Sequence, residues 1–251
     1  MLVTEWRTYE RIDADFNGHE YILVKPKKAA EGRPWVWRAE FFSAFDSVDM
    51  DLLAKGWHIA YYGISDMYGC PEAVELMKGF FDFITKEYDL SEKADIFGFS
   101  RGGLYSVNYT AKYPEDICVL YLDAPVLDIR SWPAGLGIGA GAPTEWDECK
   151  NCFGLTDVKS IVEFKDNPLD KVDILLENNI PVVLCAGDSD EVVPYVENGE
   201  IFDSLYRQKN GDILTVVKPG CNHHPHSISI PGPISKFIAE HRGLYNTDSA
   251  L

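Results

Sequence analysis

The sequence predicts an α/β fold: a mostly parallel central sheet with helices on both faces, an N-terminal antiparallel hairpin and a small cap or loop insertion. Three observations predict it. Short, apolar, strand-like runs alternate with helical patterns along most of the chain, and strands buried on both faces read that way. The chain has 251 residues, 46% of them hydrophobic, which suits one α/β domain with a sizeable core and excludes a disordered or low-complexity chain. The alternation breaks once, from Pro125 to Leu155, a run rich in Gly, Pro and Trp, and 125–178 reads as a cap or lid inserted into a single domain spanning 1–251.

The elements follow in order. Trp6 to Ile12 and Glu20 to Lys25 are strand-like, and Asn17-Gly18 between them is a hairpin turn signal. Pro34 to Arg38 is a short buried strand. Asp46 to Lys55 is a helix closed by Gly56, and Trp57 to Tyr62 is a strand. Pro71 opens a long amphipathic helix to Tyr88 at a position proline favours. Ala94 to Phe99 is a strand ending in a glycine-rich turn. Arg101 to Tyr113 is a helix stopped by Pro114, and Ile117 to Leu122 is a strand. Pro125 to Leu155 reads as loop, with short helical patterns at Thr156 to Phe164 and Pro168 to Glu177. Pro181 to Ala186 is a strand, Pro194 to Arg207 a helix, Ile213 to Lys218 a strand, and Ile234 to Glu240 begins the last helix.

The net charge of −17 argues against nucleic-acid and anionic-membrane partners, because both require a basic surface. No apolar run is long enough to cross a bilayer, and Met1 to Glu10 lacks the apolar core of a signal peptide. A cytoplasmic location is expected, or a secreted or periplasmic one if a signal peptide has been removed. The six cysteines are too sparse for a disulfide scaffold. Cys149 and Cys152 form a lone C-x-x-C with no second ligand pair, so two reduced thiols in a loop are expected. Oligomeric state leaves no signal.

In a parallel sheet the reactive residues lie beyond the carboxyl ends of the strands. Three such loops carry chemistry. After Ala94–Phe99 comes Gly98-Phe99-Ser100-Arg101-Gly102, a G-x-S-x-G string between a strand and a helix. There the glycines permit a sharp turn that exposes the serine as a nucleophile, and the N–H of Arg101 can face an oxyanion. An N-cap serine is the bland alternative. After Pro181–Ala186 comes Gly187-Asp188-Ser189-Asp190. Asp190 is the candidate acid and Asp188 the turn former, with Asp123 the alternative acid. After Ile213–Lys218 comes Cys221-Asn222-His223-His224-Pro225-His226. Imidazole suits a base near neutral pH, and His223 is the candidate. A Cys-x-His-His-x-His metal site is the rival, disfavoured because such close neighbours rarely reach one ion. The order Ser100, Asp190, His223 needs no metal or organic cofactor.

These strings, GFSRGG, GDSDEVVP and PGCNHHPHS, resemble the nucleophile, acid and histidine segments of the α/β-hydrolase superfamily, most nearly a bacterial branch of serine hydrolases and esterases. The resemblance runs from Pro34 to the last helix. It implies the α/β-hydrolase fold and hydrolysis of a carboxylic ester, with a small acyl group or a carbohydrate-linked one. Peptidase, thioesterase or carbon–carbon bond hydrolase activity, or a non-catalytic ligand-binding role, are the alternatives the fold allows. Asn222 stands where relatives have glycine before the histidine, which leaves His224 open as the base. The resemblance also places the second oxyanion donor beyond Pro34–Arg38, on the N–H of Glu40, where many relatives carry His-Gly. A buried Glu40 paired with an arginine is the alternative. Arg101 opposes the dipole at a helix start. It either binds a substrate carboxylate, as the partial resemblance to glucuronoyl esterases suggests, or pairs with Glu40 or Asp66. Arg38, Asp66, Tyr68, Trp132 and His224 complete the expected substrate-binding set.

Overall fold

The computed structural model describes residues 1–244, and positions 245–251 of the expected 1–251 domain lie outside the described residues. The strands are β1 (Leu2–Trp6), β2 (Tyr9–Phe16), β3 (His19–Lys25), β4 (Trp35–Arg38), β5 (His58–Tyr62), β6 (Ala94–Phe99), β7 (Ile117–Asp123), β8 (Val182–Gly187) and β9 (Ile213–Lys218). They form one sheet in the order β1-β2-β3-β5-β4-β6-β7-β8-β9. β1 to β3 pair antiparallel with each other, and β3 is antiparallel to β5. Every pairing from β5 to β9 is parallel.

The expected hairpin is a three-stranded meander. Asn17 and Gly18 make the turn with φ of 53° and 81°. The strand β1 has no counterpart in the sequence reading. Leu2 and Val3 are exposed, so the alternation that marks a half-buried strand is missing there. The β1–β2 turn uses Arg7 and Thr8 at φ 51° and 74°, with no glycine to announce it.

The helices are α1 (Ser47–Ala54), α2 (Pro71–Tyr88), α3 (Gly102–Lys112), α4 (Pro143–Phe153), α5 (Val158–Val162), α6 (Val172–Glu177), α7 (Gly199–Gln208) and α8 (Gly232–His241). The sheet separates two cores, and side chains alternate between them along a strand. Trp35 and Trp37 of β4 join Phe80 and Phe81 of α2 and Leu104 of α3 on one face. Val36 between them joins Val48 and Leu52 of α1 and Ile238 of α8 on the other. On β7, Leu120 and Leu122 face the first core and Val119 and Tyr121 the second.

The 125–178 stretch is more ordered than a loop. It contains α4, α5, the single 3-10 turn Pro168–Lys171 and α6. Cys149 and Cys152 are free thiols, as expected, but on α4 rather than in a loop. The stretch is tied to the rest by polar anchors. Leu127 N donates to Asn198 Oδ1 at 2.9 Å, while Ile129 N donates to Asn167 Oδ1 within the stretch itself, also at 2.9 Å. Tyr68 Oη donates to Glu148 Oε2 at 2.7 Å.

Candidate active site

Ser100 sits at the turn from β6 into α3 with φ 51°. A non-glycine residue in that region costs on the order of 1–3 kcal/mol and persists only where its surroundings enforce it. Here they do. Ser100 N donates to Asp123 O, and Ser100 O accepts from Gly103 N and Val126 N, each at 2.9 Å. Gly98 is required for a different reason. A Cβ there would run into Ser106 Oγ and lie 2.8 Å from Gly102 O, so the strand reaches the turn only without a side chain.

Asp190 and His223 come from the loops after β8 and β9. The loops touch closely, since a Cβ on Gly187 would collide with the carbonyl of Cys221. Asp188 shapes the turn, accepting from Gly220 N at 2.7 Å. Asp190 is buried and divides its oxygens. Oδ1 accepts from Val192 N at 2.9 Å and Val193 N at 2.8 Å, while Oδ2 faces His223 Nδ1 at 2.7 Å. His223 Nε2 lies 3.0 Å from Ser100 Oγ. Asn222 Oδ1 accepts from His223 N at 2.6 Å and from Glu191 N at 3.1 Å. The residue that departs from the superfamily pattern thus staples the histidine loop to the acid loop.

Asp123, the other candidate acid, is engaged elsewhere. Its Oδ1 meets His226 Nδ1 at 2.8 Å, and its Oδ2 accepts from Ser227 N at 2.7 Å and Tyr121 Oη at 2.9 Å. The loop therefore holds two buried histidine–carboxylate pairs side by side. His224 is exposed and stacks on Phe45, with centroids 5.3 Å apart and planes 15° apart. Desolvation by its neighbours, then the imidazoles of His226 and His223, lower its pKa below the usual histidine value.

Arg101 forms the ion pairs. Its Nε donates to Glu40 Oε2 and its Nη1 meets Asp66 Oδ1, both at 2.9 Å. Glu40 is buried, and its Oε1 accepts from Ser65 Oγ at 2.8 Å. Burial lifts the Glu40 carboxyl above its usual pKa, while Arg101 and Ser65 pull it down. The backbone of Glu40 runs against the elbow, its N 3.6 Å from where a Gly102 Cβ would lie.

Beside Ser100 and His223 lies a cavity of about 300 Å³, lined also by Phe41, Ala44, Phe45, Phe99, His224 and His226. Of the expected substrate-binding residues, only His224 lines it. Arg38 is a correction. It is buried, stacks over the Phe99 ring at 4.0 Å and lies 3.6 Å from Asp49 Oδ1. Its Nη2 donates to Phe41 O at 3.0 Å and Ala44 O at 2.5 Å. Arg38 thus shapes the loop that walls the cavity and does not reach into it. Tyr68 is fully buried and donates to Glu148, and Trp132 packs beside it with ring centroids 6.4 Å apart; neither lines this cavity. Asp66 is spent on Arg101. The wall residues Phe41 and Phe45 were missed in sequence, although the string Phe41-Phe42-Ser43-Ala44-Phe45 directly after β4 signals an apolar lining.

A nine-stranded sheet with Ser100, Asp190 and His223 joined at its strand ends is the architecture of the α/β-hydrolase superfamily. The model of the prolyl oligopeptidase family matches residues 58–241. The chain belongs to that family. Comparison with curated proteins gives no match. Among solved structures, dipeptidyl peptidase 4 of Porphyromonas gingivalis is similar at TM-score 0.67 and 14% identity, over 92% of this chain and 35% of that one. A puromycin-hydrolyzing peptidase of Mycobacterium tuberculosis is similar at TM-score 0.69 and 15% identity, over 94% of this chain and 39% of that one. The chain thus spans little more than a third of those proteins. No helix among the described residues is long and apolar enough to cross a membrane.

Proposed function

We propose that the protein hydrolyses an acyl bond through Ser100, and that its substrate is a carboxylic ester with a compact, uncharged, apolar group at the scissile carbonyl. The observation that carries this reading is the cavity of about 300 Å³ at Ser100, whose lining holds three aromatic rings and imidazoles but no carboxylate, lysine or arginine. Ser100 Oγ attacks the carbonyl as His223 Nε2 takes its proton. Asp190 holds the opposite N–H and stabilises the imidazolium. The N–H groups of Arg101 and Glu40 are the assigned oxyanion donors, each worth roughly 10²–10³ in rate. His223 then protonates the leaving alcohol, and water repeats the sequence on the acyl-enzyme.

A second reading is favoured by the family. The family is that of prolyl oligopeptidase, and both similar structures are peptidases, so a peptide or amide bond is the competing substrate. The same constellation serves both, since His223 can protonate an amine as well as an alkoxide. A panel of acetyl to octanoyl esters, run beside matched aminoacyl anilides, separates them. Ester turnover lost in Ser100→Ala, with anilides idle, supports the first reading. Anilide turnover of comparable kcat/KM would replace it with the second.

A further inference from the structure

The three histidines after β9 make a compact cluster that the acyl-transfer reading uses only in part. One ring nitrogen of each lies within 4.8 Å of those of the other two. The ring centroids are 4.9, 4.8 and 4.9 Å apart, and the planes stand at 63°, 78° and 88° to one another. Three imidazoles around one tetrahedral zinc, at Zn–N of about 2.0–2.1 Å, also place their centroids about 5 Å apart. Two of the three are already oriented as metal ligands are. His223 and His226 each direct Nδ1 at a buried carboxylate, Asp190 at 2.7 Å and Asp123 at 2.8 Å. A carboxylate behind a histidine fixes its tautomer and leaves the Nε2 lone pair for a metal. His224 is exposed, with ring contacts to Phe45, His223 and His226, so rotation of its side chain can close the site.

We propose that His223, His224 and His226 form a zinc site, and that its occupation switches the serine centre off. Zn²⁺ takes the Nε2 lone pair of His223, which otherwise accepts the Ser100 proton. The Ser100–His223 hydrogen bond opens, the serine keeps its proton, and acylation stops. Nothing is oxidised or reduced. The two carboxylates behind the rings, and a net charge of −17, favour a dication at this mouth. Zinc fits because imidazole suits it, whereas Mg²⁺ and Ca²⁺ demand oxygen ligands. The binding does not depend on the ester or peptide reading; the inhibition rests on His223 serving Ser100.

The test uses the whole chain, Co²⁺ as a spectroscopic probe and a fluorophosphonate that labels Ser100. One equivalent of Co²⁺ is expected to give the visible absorption of a tetrahedral, histidine-bound ion, which Zn²⁺ displaces. Zn²⁺ should slow labelling with the same midpoint, a chelator should restore it, and Mg²⁺ should do neither. His224→Ala, at an exposed position, should weaken Zn²⁺ binding by at least about tenfold, with His226→Gln the second variant. Absence of a tetrahedral cobalt spectrum overturns the proposal. So does Zn²⁺ affinity unchanged in both variants, or occupied metal with labelling undiminished. A wild type that never labels refutes the role given to Ser100, while the cobalt spectrum still decides the site.

Discussion

At the residue scale, the division of labour between two aspartates is the sharpest consequence of the geometry. Asp190 serves His223 and Asp123 serves His226. In Asp190→Asn the amide oxygen can still accept from Val192 N and Val193 N, but the amide nitrogen then donates to Nδ1. His223 is left with its proton on Nε2, the tautomer that cannot take a proton from serine. The expected outcome is a fall in kcat/KM of about 10³–10⁴ with little change in Tm. Asp123→Asn should do the reverse. That buried carboxylate accepts from three groups, so its loss should lower Tm while costing at least about tenfold less activity than Asp190→Asn. Steady-state kinetics and thermal melts on both variants check this, and the opposite ranking would make Asp123 the orienting acid. The sequence named Ser100, Asp190 and His223 because each follows an apolar strand and the order is diagnostic. It could not show that Arg38 is buried, because an arginine at a strand end looks the same whether it meets substrate or Phe99.

At the scale of elements, the elbow depends on β6 and α3 approaching without side chains between them. Gly98→Ala should therefore destabilise the fold by about 1–3 kcal/mol, the usual cost of overpacking. It should also reduce acylation, because the displaced turn carries Ser100. Ser106→Ala in the same chain removes the hydroxyl in the way but leaves Gly102 O at 2.8 Å, so the rescue should be partial. Urea denaturation of the single and double variants measures it, and full stability in Gly98→Ala would refute the packing argument. The loop after β4 is under comparable strain. Phe41, Ser43 and Phe45 all have positive φ, at 54°, 70° and 51°. The two bonds donated by Arg38 and the bond from Ala44 N to Phe41 O at 3.1 Å hold it. The parallel strands were legible in sequence because they are apolar on both faces. β1 was not, because its side chains face solvent, and α4 was not, because Gly and Pro around it mask an eleven-residue helix.

At the scale of the whole molecule, the pH range of stability follows from buried imidazole. His58 is buried at the start of β5 and its pKa is pushed down to about 4 by desolvation. The unfolded chain takes up that proton near pH 6.5, while the folded chain does not until about pH 4. The unfolded state thus binds more protons in this window, and stability falls as pH drops through it, by on the order of 2–3 kcal/mol. His58→Gln should flatten the urea midpoint between pH 6.5 and pH 4, and an unchanged slope would assign the acid sensitivity elsewhere. The run of the chain through the sheet has one more consequence. Ser100 lies 123 residues before the His223 it bonds, and β9, which delivers that histidine, is the edge strand of the sheet and the last among the described residues. A ribosome adding roughly 5–20 residues per second completes the elbow many seconds before an imidazole exists to activate it. Until the histidine loop emerges, the growing polypeptide holds its serine without the proposed base, so reactivity would arrive in a single step.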